Sequence, residues 1–160
     1  MNLIHLETRI TTGLDMSTKR SALVIEDDAH SLLAISEMLR EMNIAFKRNT
    51  NGAEVIQRVK RMRTPPDFIV LNLDLPDGDA YSICRQLRRQ KHLRDVPVIA
   101  TADQYSESLL DCLRHQGFSG FVQKPIARRY FGDFLDDVLQ GDTSFTTLMS
   151  SPGSSSLSTV

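Results

Sequence analysis

No apolar run in this 160-residue chain approaches the roughly 20 residues that a helix needs to cross a bilayer, so no membrane span is expected. The opening stretch, Met1-Asn-Leu-Ile-His-Leu-Glu7, lacks a basic segment followed by an apolar core, and no secretory signal is expected either. An excess of one charge is missing as well. Nineteen basic against twenty acidic residues leave a net charge of -1, so no global field draws the chain to nucleic acid or to an anionic membrane. Neither is expected as a partner, and only a local basic patch stays open. The two cysteines, Cys84 and Cys112, have no metal-ligand spacing and fall in helix-like patterns, which reads as buried thiols in a reducing compartment. His5, His30, His92 and His115 form no spacing suited to a metal or to phosphotransfer. There is no phosphate-binding loop, no glycine-rich dinucleotide turn, no zinc spacing and no internal repeat. A cytoplasmic location is the resulting expectation.

What is present is an ordinary globular balance, 41% hydrophobic and 24% charged, on a chain long enough for one core but not two. Residues 1–20 show little periodicity and read as a flexible leader, within which either Met1 or Met16 can be the start of translation. Residues 142–160 turn abruptly to Ser and Thr and read as a disordered tail. Between them, residues 21–141 alternate short apolar runs with amphipathic stretches, the pattern of a parallel sheet with crossover helices. Strands are expected at 22–26, 44–48, 68–71, 96–101 and 120–123, the second being polar enough for an edge. Leu32, Ile35, Leu39 and Met42 mark the first helix, and Val55, Val59 and Met62 the second, which Thr64-Pro-Pro66 stops. Helices at 80–91, 106–116 and 128–139 follow, with Gly117 and Gly141 at their C-caps. The predicted fold is α/β, a doubly wound five-stranded parallel sheet in three layers, with flavodoxin-like order 2-1-3-4-5. Ligands in such folds bind at the carboxyl ends of the first and third strands.

Four chemistry-bearing positions lie at those carboxyl ends. Ala22-Leu-Val-Ile-Glu-Asp-Asp28 closes an apolar run with carboxylates, Asp67-Phe-Ile-Val-Leu-Asn-Leu-Asp-Leu-Pro-Asp-Gly78 runs a strand into a turn, and Gly120-Phe-Val-Gln-Lys-Pro125 ends in Lys-Pro. An acidic pair, an acceptor position four residues before a proline, and a Lys-Pro together resemble the phosphorylation pocket of the response-regulator receiver domain. The resemblance implies that Glu26 and Asp27 are the acids that hold magnesium, and that Lys124 bridges to phosphoryl oxygens. Pro125 would be a cis-proline, Phe121 the aromatic that turns between buried and exposed states, and Thr101 the hydroxyl that senses the phosphoryl group. Thr101 lies only four residues after Pro97, one fewer than the family's usual spacing, so Thr101 and Ala102 both remain candidates for that position.

Asn72 breaks the pattern, because it stands where the family carries its acceptor aspartate. A carboxylate can attack phosphorus, whereas a neutral amide is a far poorer nucleophile. Loss of a third acid also weakens the drive to bind magnesium, leaving at most a weak site at Glu26 and Asp27 with no cofactor required. Lys124 is then expected to pair directly with Asp27. The resulting expectation is a single-domain pseudo-receiver, not an enzyme, acting in two-component-type signalling by protein–protein contact independent of phosphorylation. Its partner would be a signalling kinase, a regulator or output protein, or a second copy. The face built from the fourth helix, fifth strand and fifth helix would bind it, with Arg128 and Arg129 setting partner choice. Two alternatives stand beside this reading. Asp74, on the same strand face as Asn72, could accept a phosphoryl group with magnesium at Glu26 and Asp27, or the vacated pocket could sense a small anion or nucleotide.

Overall fold

The computed structural model describes residues 19–143 and residue 145. Five parallel strands, β1 (Ser21–Ile25), β2 (Ala45–Asn49), β3 (Phe68–Asn72), β4 (Val98–Ala102) and β5 (Gly120–Gln123), form one sheet in the order β2-β1-β3-β4-β5. Five helices alternate with them: α1 (Ala29–Glu41), α2 (Val55–Lys60), α3 (Ala80–Arg89), α4 (Glu107–His115) and α5 (Arg128–Leu139). This is the flavodoxin-like, doubly wound arrangement that alternating apolar strands and amphipathic helices require, since each sheet face must be covered.

Side-chain alternation along the strands divides the core in two. Leu23, Ile25, Ile69, Leu71, Val98 and Ala100 pack against α2, α3 and α4. Ala22, Val24, Phe68, Val70 and Ile99 pack against α1 and α5, where Phe131, Phe134, Leu135 and Val138 are all buried. By the same alternation Glu26, Asn72 and Thr101 project to the α1/α5 side at the top of the sheet, and Asn72 lies opposite Thr101 in the β3–β4 register.

Two loops at that end are held by chain-specific chemistry. Asp28 is the N-cap of α1 and accepts the Ser31 N–H at 2.7 Å, which keeps its carboxyl below the ordinary range. Gly52 donates its N–H to Asp77 Oδ1, docking the β2–α2 loop on the β3–α3 loop. A Cβ on Gly52 would come within 3.1 Å of Leu75 Cδ1 and 3.2 Å of that same Asp77 oxygen, so a larger residue would push these side chains back by a few tenths of an ångström.

Several sequence expectations need correction. β4 begins at Val98 and not at 96, because the Val96 N–H closes a turn onto Leu93 O. α2 ends at Lys60, well before Thr64-Pro-Pro66, with Arg61 as its C-cap. Cys84 is buried, which pushes its thiol up to about 11, but Cys112 is exposed on the outer face of α4. Of the expected leader, residues 1–18 lie outside the described residues, as does the tail from 146 onward. Packing also continues past the expected boundary at 141. Phe145 is 8% exposed against the α2–α4 side of the core, with the Arg114 guanidinium 4.8 Å from its ring centre. Phe145→Ala is expected to lower the unfolding free energy by about 2 kcal/mol, below the roughly 3–5 kcal/mol of a fully enclosed Phe. Urea denaturation of the full chain measures it, and an unchanged midpoint would place the ring outside the cooperative core.

Candidate functional site

The carboxyl ends of β1, β3 and β5 bring Glu26, Asp27, Asn72 and Lys124 into one hydrogen-bonded cluster. Glu26 is fully buried, Asn72 is 2% exposed and Lys124 9%, while Asp27 faces solvent. Asn72 is the hub. Its Nδ2 donates to Glu26 Oε1 at 2.9 Å and to Asp27 Oδ1 at 3.0 Å. Its Oδ1 accepts from Lys124 Nζ at 3.3 Å and from the Asp74 N–H at 3.1 Å. Two acceptors on one side and two donors on the other fix the amide orientation, because a flipped side chain would face oxygen to oxygen and nitrogen to nitrogen. Asn72 therefore uses both N–H groups and both carbonyl lone pairs.

Lys124 Nζ lies 3.4 Å from Glu26 Oε2, and this is the ion pair of the cluster. The expected pairing of Lys124 with Asp27 is not formed, because the Asn72 amide takes the Asp27 oxygen. Burial is the main influence on Glu26 and raises its pKa, against the lowering effects of the Asp28 N–H and of Lys124. The Lys124–Pro125 peptide bond is cis.

Thr101, and not Ala102, shares the cluster's side of the sheet. Ala102 projects into the opposite core beside Phe121. The Thr101 hydroxyl is buried without a hydrogen-bond partner, a condition it shares only with Ser36 among the described residues. Phe121 is fully buried, and Tyr105 stacks on it at 6.5 Å between ring centres while directing its hydroxyl to Glu107. Asp74 does not share a strand face with Asn72, because β3 stops at Asn72 and Asp74 sits exposed in the following turn.

Magnesium fits these residues poorly. The cation prefers an octahedron of hard oxygens, and here two N–H donors already bridge the Glu26 and Asp27 carboxylates. No set of three or more His, Cys, Asp or Glu residues suited to a metal occurs among the described residues. Turning the Asn72 carbonyl toward a cation would forfeit its bonds to Lys124 and to the Asp74 N–H.

The proposed partner residues separate in space. Arg128 turns toward α1, donating to Glu41 at 2.5 Å and to Glu37 at 3.2 Å, so it ties α5 to α1 and does not project from the α4–β5–α5 face. Arg129 stays exposed and lies 5.6 Å from the Tyr130 ring. Sequence reasoning gave no role to Asp28 as a cap or to Asp77 as a loop clamp. Each stands just before or beside a glycine- or helix-rich stretch where such acids commonly cap.

Comparison with known proteins agrees with the fold. The family model described as "Response regulator receiver domain" matches residues 22–134. The chain is 26% identical over 154 residues to the sensor histidine kinase CheAY of Helicobacter pylori, covering 88% of this chain and 18% of that protein. It is 23% identical over 122 residues to the polar-differentiation response regulator DivK of Brucella anthropi, covering 71% of this chain and 98% of that one. Its fold is similar to the receiver domain of a sensor histidine kinase from Pseudomonas aeruginosa, solved with a magnesium ion in its active-site cleft. There the TM-score is 0.68 and the identity 24%, over 76% of this chain and 98% of that one. The chain thus spans less than a fifth of the histidine kinase CheAY but nearly the whole of DivK. No helix among the described residues is long and apolar enough to cross a membrane.

Proposed function

Because the chain belongs to the response regulator receiver domain family, we propose that it is a cytoplasmic pseudo-receiver that signals by protein–protein contact without aspartyl phosphorylation. The observation that carries this reading is the Asn72 amide, fully hydrogen-bonded between Glu26, Asp27 and Lys124 at the acceptor position. A phosphoryl donor meets an amide at the acceptor position, and the Glu26, Asn72 and Lys124 groups around it already bond one another. Two features support this reading over Asp74 as a substitute acceptor: Asp74 lies outside the cluster, and only its backbone N–H reaches Asn72. Magnesium binding, if measured, is expected to be weak and to tighten in Asn72→Asp. Equal or tighter binding by the natural chain in a calorimetric titration would contradict the argument.

Receiver domains work with kinases and regulators. The surface proposed for such a partner, or for a second copy, is the α4–β5–α5 face, with Arg129, Tyr130 and Tyr105 as its exposed contacts. Phe121 sits beneath that face in its buried position. With no acceptor, a partner and not a phosphoryl group must shift the balance between states, and it can do so only through its differential affinity for them. The test is capture on the immobilised chain, run in parallel with and without magnesium and acetyl phosphate. The same partner should be retained in both, and lost in Arg129→Glu and Tyr130→Ala. Retention that appears only with the phosphodonor, or that survives both substitutions, would contradict the proposal.

A further inference from the structure

The opposite edge of the sheet carries a second, unrelated surface. Among the described residues β2 has no neighbour on its outer side. Its Ala45 N–H bonds Arg20 O and its Asn49 O accepts the Glu26 N–H, so Ala45, Lys47 and Asn49 turn their backbone polar groups toward β1. By alternation Phe46 and Arg48 turn theirs outward. The Arg58 guanidinium takes Arg48 O, and among the described residues nothing takes the N–H and C=O of Phe46 or the N–H of Arg48.

Charge gathers along the same edge. Residues 45–64 hold Lys47, Arg48, Arg58, Lys60, Arg61 and Arg63 against Glu54 alone, five net positive charges on a chain whose total is -1. None of the six forms an ion pair among the described residues. The helix dipole accounts for cations at the C-terminus of α2, but not for Lys47 and Arg48 on the strand. Lys47, Arg58, Arg61 and Arg63 surround a depression of about 400 Å³. It adjoins an apolar one of about 340 Å³, floored by Ala45, Phe46, Met62 and Pro66, through the shared Lys47, Met62 and Thr64. Exposed strand edges invite pairing, and cations there exclude a second copy of the same chain by repulsion. They admit a strand of opposite charge.

We propose that the outer edge of β2 accepts an extended acidic segment of a protein partner as an added strand, its backbone on Phe46 and Arg48, its carboxylates among Lys47, Arg58, Arg61 and Arg63, and an apolar side chain over Met62 and Pro66. Strand addition uses all three features at once: backbone bonds give affinity and pockets for alternate side chains give specificity. A nucleic-acid backbone would use the cations alone and leave the open strand groups and the apolar floor unspent. The surface lies across the sheet from the α4–β5–α5 face, so its fate is independent of the face proposed above.

The test is fluorescence anisotropy on the full chain with a labelled, capped peptide of about eight residues, a usual strand length, alternating Glu with Val or Thr. Controls are the analogue with Lys for Glu, the acidic peptide N-methylated at alternate residues, and a labelled oligothymidylate. The acidic peptide should bind in a salt-sensitive manner and weaken about tenfold in Arg61→Glu/Arg63→Glu, two exposed positions outside both cores. N-methylation keeps the charge but removes strand pairing, and should weaken binding comparably; the Lys analogue should not bind. Failure of the acidic peptide to bind, equal binding by the double variant, or indifference to N-methylation would overturn the proposal. Tighter binding of oligothymidylate, lost in the same variant, would assign the patch to a phosphate backbone instead.

Discussion

Asn72→Asp should lower the unfolding free energy by about 3 kcal/mol in chelator at neutral pH, and magnesium should restore most of that loss. The substitution replaces an N–H₂ group 2.9 Å from Glu26 Oε1 and 3.0 Å from Asp27 Oδ1 with a carboxylate oxygen. Two hydrogen bonds to charged acceptors disappear, each worth roughly 1.5–3 kcal/mol, and three acids then crowd one another. Some relief comes from proton uptake, since closely spaced carboxylates titrate as a unit. A divalent cation offers the other relief. At a concentration about 100 times its Kd a ligand that binds only the folded state adds about 2.7 kcal/mol. Thermal unfolding with and without magnesium measures the effect. If Asn72→Asp matches the natural chain in chelator, the amide is not the neutralising hub described here.

Lys124→Met should cost about 3 kcal/mol at pH 7, the usual penalty for stranding one partner of a buried ion pair. Lys124 is the cation facing Glu26, which is fully buried. The pH dependence identifies the cause. Burial raises the folded-state pKa of Glu26 above its ordinary 4.5, and Lys124 acts to lower it. A raised carboxyl contributes stability that is fully present below about 4.5 and is lost as pH rises through the folded value. Without Lys124 that folded value climbs further and the loss at neutral pH deepens. The gap between Lys124→Met and the natural chain should therefore narrow as pH falls toward 4.5. A gap that stays constant with pH would point to lost packing of the lysine stem and not to the pair.

The elements that the chain punctuates strongly are legible in its sequence. β5 and α5 match at both ends because Gly117, Pro125 and Gly141 bracket them, and Gly117 and Gly141 adopt the positive φ values, 87° and 96°, that such helix ends favour. Composition misleads where a residue suited to a strand is used in a turn. Val96 is apolar and β-branched, yet its N–H is committed to Leu93 O, so β4 starts later. The convergence of Glu26, Asp27, Asn72 and Lys124 followed from their shared place at strand ends. Their pairings did not, because hydrogen-bond partners depend on distances of a few tenths of an ångström that no spacing rule carries. Lys124 thus met Glu26, and the Asn72 amide took Asp27. Arg128 was misplaced for a related reason, since one turn of α5 decides between the partner face and the α1 carboxylates. Phe145 was invisible because a single aromatic in a Ser/Thr-rich stretch has no period.

The most direct test of a receiver that has lost aspartyl phosphorylation is intact-protein mass spectrometry after incubation with magnesium and acetyl phosphate. The natural chain is predicted to gain no phosphoryl group, while Asn72→Asp gains one that hydroxylamine removes. A hydroxylamine-labile phosphoryl group on the natural chain, mapped to Asp74 or to any acid of the pocket, would contradict the account.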